Sequence, residues 1–455
     1  MKVDLDLIRK YNVPGPRYTS YPPATHFTDE VDKSALMESI RRNNETQRDL
    51  SLYYHLPFCE SLCWFCGCTT VITTDHSRSA DYLKLIDREM DLMKEHLNPK
   101  RKVVQVHLGG GTPTFLHPDE IRSLGENIRK RFTISGEVEA GAEIDPRRIT
   151  RDSIEALKEA GFNRASMGVQ DHNPEVQKAV HRIQPYEMTK QAIDWLRDCD
   201  FQSLNVDLIY GLPNQTVASF EQTLEDTLKL QPDRLAVFSY AHVPWIKPAQ
   251  KILQDRMNLP SPETKLQLLK LTIEKLTSEG YVYIGMDHFA KENDELRIAQ
   301  RNKTLQRNFQ GYSTRGGVDI YAFGMSSISQ SQDAYWQNLK ELPEYTASVE
   351  DGKLPIHRGY ILTPEDHLRR RTIMRLMCDL ELDYTHMSEL LDLDFASHYE
   401  QELASLTDME ADGLIEKSST GLVVTELGRL LIRNIAMRFD AYQAERKEGR
   451  FSKTI

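Results

Sequence analysis

The chain has 455 residues, 40% of them hydrophobic, enough to bury a full-sized core and to build one large domain with one or two smaller pieces. Asp plus Glu number 68 against 57 Lys plus Arg, and the net charge of −11 argues against the phosphate backbone of a nucleic acid as main partner. The first residues, Met1-Lys2-Val3-Asp4, lack the apolar stretch of a secretory signal, and no apolar run reaches the roughly 18 residues of a membrane span, so a cytoplasmic protein free of the membrane is expected.

Residues 1–45 form an expected N-terminal segment. Its sequence NVPGPRYTSYPPATHF, over 12–27, is too rich in proline to be helical and is read as extended, a candidate lid. From about residue 50 to residue 290, strand-like runs alternate with amphipathic helical runs, the pattern of βα units feeding a parallel sheet. Strands are predicted over 51–55, 103–108, 137–143, 163–168, 202–210 and 234–240. Between the first two, Leu83, Ile86, Met90, Met93 and Leu97 recur at three- and four-residue steps and form one apolar helical stripe. Helices are expected to end at Gly161 and Gly280, where the missing Cβ permits a left-handed cap.

The main α/β domain is expected over 46–340, followed by a linker over 341–360 that includes ELPEYTASVEDGKLP. A mostly helical domain follows over 361–455, where GLIEKSSTGLVVTELGRLLI suggests helices and a small hairpin in the outline of a winged helix. That region carries 18 acidic against 12 basic residues, which favours packing over DNA binding.

Four of the six cysteines crowd into HLPFCESLCWFCGCTT, spaced C-x3-C-x2-C-x-C from Cys59 to Cys68 on the loop after the first strand. Cys199, at a helix end, and Cys378, in the apolar stretch RLMCDL, read as packed thiols. A structural zinc site draws two ligand pairs from separated segments, and no second Cys/His pair follows at a matching spacing. Thiolates bunched on one loop suit an iron–sulfur cluster instead. The second strand runs into LGGGTPTFL, where Gly109, Gly110 and Gly111 let backbone approach a ligand closely, while the Gly-Lys-Ser/Thr ending of a P-loop is absent. Later strands bring Glu143, Gln170 and Asp207 to equivalent βα junctions, and side chains from such positions converge on one mouth.

The C-x3-C-x2-C loop after the first strand resembles that of radical S-adenosylmethionine (SAM) enzymes. The resemblance implies an α/β fold built on a partial (β/α)6 radical SAM barrel, with the extended N-terminal segment and the winged-helix-like C-terminal domain as additions. It implies that Cys59, Cys63 and Cys66 hold a [4Fe–4S] cluster, that the glycine motif cradles the methionine amino group, and that SAM is cleaved to a 5′-deoxyadenosyl radical.

Across nearly the whole chain, the motifs PGPRYTSYPPATHF, YYHLPFCESLCWFCGC, HLGGGTPTFL, GVQDHNPEVQKAVHR, NVDLIYGLP, RNFQGYST and ELGRLLIRNIAMRFD resemble the oxygen-independent coproporphyrinogen III oxidase family of haem biosynthesis. This resemblance implies an oxidoreductase that turns two propionates of coproporphyrinogen III into the vinyls of protoporphyrinogen IX with loss of carbon dioxide. It implies two SAM molecules, an electron donor and an acceptor that the sequence does not name, and a monomer is expected. By matching motifs, Tyr53, Gly110, Glu143 and Ile328 would line the first SAM, and Phe65, Gly111, Thr112, Gln170, Arg182, Asp207 and Ala241 the second. Carboxylates suit ribose hydroxyls, an arginine suits a carboxylate, and an aromatic ring stacks on adenine.

No catalytic group is assigned. Cys68 is the one candidate, and in that family the fourth cysteine is not a cluster ligand. Arg17 and Lys247 are candidates for pairing propionates. A related haem-binding chaperone shares the cluster motif, but its pattern has an aromatic at the place of Cys68 and lacks the proline-rich segment.

Overall fold

In the computed structural model, which describes residues 1–256 and 258–445, all six strands expected between 51 and 240 form. They are β1 (Leu50–Leu56), β2 (Lys102–Gly110), β3 (Thr133–Ile144), β4 (Arg164–Gln170), β5 (Ser203–Tyr210) and β6 (Arg234–Ser239), side by side in chain order with every neighbouring pair parallel. Between consecutive strands run α1 (Ser77–Lys94), α2 (Pro118–Arg131), α3 (Arg151–Glu159), α4 (Tyr186–Asp198) and α5 (Val217–Lys229). Parallel strands need such crossovers, and repeated crossovers of one hand curl the sheet into the partial (β/α)6 barrel.

Local chemistry sets the boundaries. Thr150 caps α3 by accepting from the Ser153 backbone N–H, and the chain leaves that helix through Gly161 at a φ of 100°. Along α1 the buried stripe is Tyr82, Ile86, Glu89, Met90 and Met93, so it is centred one residue before the expected Leu83 and takes in a carboxylate. Glu89 is tolerated there because Tyr345, Asn338 and the Gly324 backbone N–H all donate to it.

Beyond β1 the sheet continues through β7 (Asp319–Phe323), parallel to β1, and then antiparallel through β8 (Ile328–Gln330), β9 (Ala334–Asn338) and β10 (Ile356–Ile361). Residues 341–355, expected as linker, instead carry α6 (Leu342–Glu350), held because Tyr345 and Val349 are fully buried. At the N-terminal ends of these strands, Arg101 and Asp319 form a fully buried ion pair at 2.5 Å. Asp319 also meets Arg48 Nε at 3.3 Å, so removing Asp319 would leave the buried Arg101 uncompensated, at a cost of about 3–5 kcal/mol, and removing Arg101 would cost less. The opposite, C-terminal ends are free to build a site from the βα loops.

These elements belong to one compact unit, Phe27–Ser261 with Gly317–Ile361. A second unit comprises Met1–His26, Pro262–Gly316 and Leu362–Ile455, of which 446–455 lie outside the described residues. In it the helices Pro364–Asp379 and Tyr384–Leu391 accompany a small antiparallel sheet of Glu381–Asp383, Gly421–Val424 and Ile415–Lys417, the winged-helix-like part. The non-helical stretch after the helix Leu5–Tyr11 packs into that core: Tyr11, Tyr18 and Tyr21 are buried with Ile373, Leu376 and Phe439. Arg433 donates to the Gly15 and Pro16 carbonyls and Asn434 to that of Tyr11. Cys378 is fully buried in the same core, as a packed thiol would be, and Cys199 follows the C-terminus of α4, half-buried. Among the described residues no helix is long and apolar enough to cross a membrane.

Candidate functional site

The loop that leaves β1 carries the cysteines and is stitched down along its length. Phe58–Cys59 pairs with Val71–Ile72, the Thr112 N–H donates to the Phe58 carbonyl at 2.9 Å, and the Trp64 N–H donates to the Val180 carbonyl at 3.1 Å. Three side chains also hold loop carbonyls: His181 Nδ1 lies 2.9 Å from Leu62 O, Gln250 donates to Phe65 O at 3.0 Å, and Lys247 donates to Cys68 O at 2.8 Å. A backbone tied at so many points presents its side chains in fixed directions.

Cys59, Cys63, Cys66 and Cys68 all face a cavity of about 250 Å³ at the C-terminal mouth of the barrel. Across from them lie Gly110, Gly111 and Thr112 from the end of β2, Glu143 from β3 and Asp145 just past its end, Ser166, Gly168 and Gln170 from β4, Arg182, and Asp207 from β5. A Cβ at Gly111 would stand 2.6 Å from the Pro57 carbonyl group, so this edge of the cavity admits only glycine. Gln170 ends β4 in the left-handed region at a φ of 69°, a costly conformation for a side-chain-bearing residue of the kind that gathers at functional sites.

The thiols differ in character. Burial pushes Cys59 up to about 11 although Thr112 Oγ1 lies 3.4 Å from its sulfur. Cys66 is drawn below its ordinary value, chiefly by its hydrogen bond with the Cys68 thiol; burial opposes this, and the Cys68 backbone N–H, Lys247 and Arg182 add to it. Cys63 meets two guanidinium groups, Arg147 Nη2 at 3.5 Å and Arg182 Nη1 at 3.6 Å. Both arginines share Asp145 as counter-ion, at 2.6 and 3.2 Å. Burial works against ionisation of Asp145, yet the paired arginines hold it below the usual carboxylate range.

Two further carboxylates face the cavity in different states. Enclosure works against ionisation of Glu143, but His107 and the Gly110 N–H, donating at 3.1 Å, outweigh it and keep this group below its ordinary value. Asp207 is pushed up to about 7 by burial, despite hydrogen bonds from Asn205 at 2.7 Å and Ser166 at 3.1 Å. One carboxylate is therefore set to accept hydrogen bonds as an anion, while the other sits near neutrality in its proton exchange.

Of the residues singled out from the sequence, Phe65, Gly110, Gly111, Thr112, Glu143, Gln170, Arg182, Asp207 and the four clustered cysteines line the cavity. Tyr53, Ala241 and Ile328 do not. Tyr53 stacks on His107, the partner of Glu143, with ring centroids 5.9 Å apart; Ala241 is exposed on the loop after β6, and Ile328 opens β8, half-buried. Arg17 is engaged with Asp287 at 2.5 Å. Sequence reading missed Asp145, Arg147 and Ser166. The first two follow Glu143 directly in AEIDPRR, and their position just past a strand end was the available signal.

The donor set fits a thiolate-bound cluster better than a single ion. Four soft thiol donors on one loop face a shared cavity whose Gly111 edge a Cβ would fill, and whose Arg182 Nε is buried without a hydrogen-bond partner.

Comparison with known proteins accords with this geometry. Residues 53–227 match the radical SAM superfamily and residues 362–431 the HemN C-terminal domain. The chain is similar to the oxygen-independent coproporphyrinogen III oxidases of Synechocystis sp., at 45% identity over 99% of this chain and 97% of that protein, and of Escherichia coli, at 45% identity over 99% and 98%. It is also similar to the solved structure of coproporphyrinogen III oxidase from Escherichia coli, described as a radical SAM enzyme, with a TM-score of 0.91 and 43% identity over 97% of this chain and 99% of that one.

Proposed function

Because the chain belongs to the oxygen-independent coproporphyrinogen III oxidase family of the radical SAM superfamily, we propose that it converts two propionates of coproporphyrinogen III to the vinyls of protoporphyrinogen IX, with loss of carbon dioxide. The observation that carries this reading is the cavity in which Cys59, Cys63 and Cys66 meet the glycine edge, two carboxylates in different ionisation states and Arg182. The three thiols would hold a [4Fe–4S] cluster. When bound, that cluster supplies the electron that cleaves SAM and so gives access to hydrogen abstraction from a propionate carbon too weakly acidic for a protein base.

The rest is positioning by the chain. Glu143, kept ionised by His107 and the Gly110 N–H, suits the amino group or ribose hydroxyls of a first SAM. Arg182, a cation lining the cavity, suits an anionic group such as the methionine carboxylate of a second SAM, with Asp207 and Gln170 beside it for hydroxyls. The stitched cysteine loop fixes the directions of its thiols.

Anaerobic reconstitution followed by an assay with coproporphyrinogen III and SAM tests the proposal. Protoporphyrinogen IX, methionine and 5′-deoxyadenosine should form, and Cys59→Ser, Cys63→Ser or Cys66→Ser should each abolish both iron loading and turnover. Tight haem binding by iron-loaded protein that leaves coproporphyrinogen unchanged would overturn it in favour of a haem chaperone.

A further inference from the structure

On the same barrel unit, a row of side chains crosses the antiparallel strands. Ile328 of β8 pairs with Gln337 of β9, which pairs with Arg358 of β10, and directly opposed residues show their side chains on one face of a sheet. Arg358 Nε donates to Gln337 Oε1 at 2.7 Å, Gln337 donates to the Ser326 carbonyl at 2.8 Å, and Ser326 Oγ lies 3.4 Å from His55 Nε2. His55 belongs to the last turn of β1, from which the cysteine loop departs, so the row lies at the mouth end of the sheet.

Two lysines join Arg358 there. Lys340 follows the end of β9, exposed. Lys247 reaches across from the loop after β6 and is fastened to the cysteine loop through the Cys68 carbonyl. Lys340 lies within electrostatic reach of the other two: partial burial of its ammonium, then the charges of Arg358 and Lys247, hold Lys340 below its ordinary value, with Glu341 pulling the other way. Among the described residues no carboxylate pairs with any of the three. In a chain of net charge −11, three neighbouring cations, with Glu341 acting on one of them and no carboxylate in contact with any, repel one another unless a ligand supplies further anions. Just before Lys247, Trp245 and Ile246 are 69% and 64% exposed, an apolar surface beside the charges.

Resting on coproporphyrinogen III as substrate, we propose that Lys247, Lys340 and Arg358 form the propionate-binding site at the rim of the cavity, with Trp245 and Ile246 against the pyrrole rings. Coproporphyrinogen III carries a propionate on each pyrrole ring, so the propionates not being converted need cationic partners while one enters the cavity. A flat or puckered apolar ring system with carboxylate arms matches cations set beside exposed aromatic surface, which a small inorganic anion does not. Arg358 offers a planar fork for two carboxylate oxygens, and the lysines offer point charges.

The test is titration of the cluster-reconstituted full chain with coproporphyrin III, the oxidised relative bearing the same propionates, and with its tetramethyl ester, followed by porphyrin absorbance. Lys340→Gln should weaken binding of the free acid about tenfold, as loss of one charged contact does. It should leave the ester unchanged, and Lys340→Arg should restore binding of the acid. In turnover, KM for coproporphyrinogen III should rise more than kcat falls. Equal affinity of wild type and Lys340→Gln for the free acid, or equal losses for acid and ester, would overturn the site. Wild-type turnover alongside such a result would leave the proposed function standing, whereas absence of wild-type turnover would remove the function itself.

Discussion

Replacing Arg147 by glutamine is expected to lower the reduction potential of a cluster bound through Cys63 by about 50–100 mV. Asp145 grips the guanidinium through Nε at 3.0 Å and Nη2 at 2.6 Å, which fixes Nη2 at 3.5 Å from Cys63 Sγ. The Arg147 side chain is only 12% exposed, so water screens the contact little. A hydrogen bond to a charged group contributes about 1.5–3 kcal/mol, and for a one-electron couple about 1.4 kcal/mol corresponds to 59 mV, so complete loss is about 60–130 mV. Arg182, 3.6 Å from the same sulfur, remains and offsets part of that. Positive charge favours the more negative, reduced cluster, so the shift is downward. Potentiometric titration followed by electron paramagnetic resonance, on anaerobically reconstituted wild type and Arg147→Gln with iron counted in each, measures it. Arg147→Lys, which keeps the charge without the fork, should fall between. Potentials equal within about 10 mV at matched iron content would refute the reasoning.

Glu89 gives a pH signature. Burial raises it from 4.5 to about 7 against three hydrogen bonds, so the protonated form is favoured in the folded chain. Its contribution is complete below the unfolded value and is lost as pH rises through about 7, an amount of about 3 kcal/mol. Glu89→Gln does not titrate, so its penalty in urea unfolding should be larger at pH 5 than at pH 8 by about 2–3 kcal/mol; a pH-independent penalty would contradict this. In Gly111→Ala the new Cβ would meet the Pro57 and Phe58 carbonyls at 2.6 and 2.7 Å, and backbone cannot yield as a side chain does. Iron loading should fall at least about tenfold, while Gly67→Ala, with nothing within 4 Å, should load normally; equal loading of the two would remove the steric argument.

The barrel was legible because two periodicities alternate cleanly: each strand expected between 51 and 240 is present, with ends shifted by a few residues. The cluster of four cysteines from Cys59 to Cys68 stood out by spacing, and the resemblance singled out Cys59, Cys63 and Cys66 among them. Glu143, Gln170 and Asp207 stood out because strand ends share one mouth. Charges satisfied by distant partners were hidden. Glu89 looks like an interruption in an apolar stripe until Tyr345 and Asn338, some 250 residues on in sequence, supply its donors. The helix Leu342–Glu350 was read as linker for the same reason, since its apolar positions Tyr345 and Val349 signify burial only once the sheet beneath them is built. Tyr53, Ala241 and Ile328 came from resemblance and not from pattern, and the structure sets all three outside the cavity wall.

The stitching of the cysteine loop bears on how the protein endures oxygen. In small metal-dependent domains the ion is what folds the chain, and stripping it unravels the fold. Here the loop is held by its own backbone pairing and by His181, Gln250 and Lys247, none of which is a cysteine. These contacts do not depend on iron, so the loop is expected to stay folded when iron is lost to air, and iron and sulfide delivered afresh would meet thiols already in place.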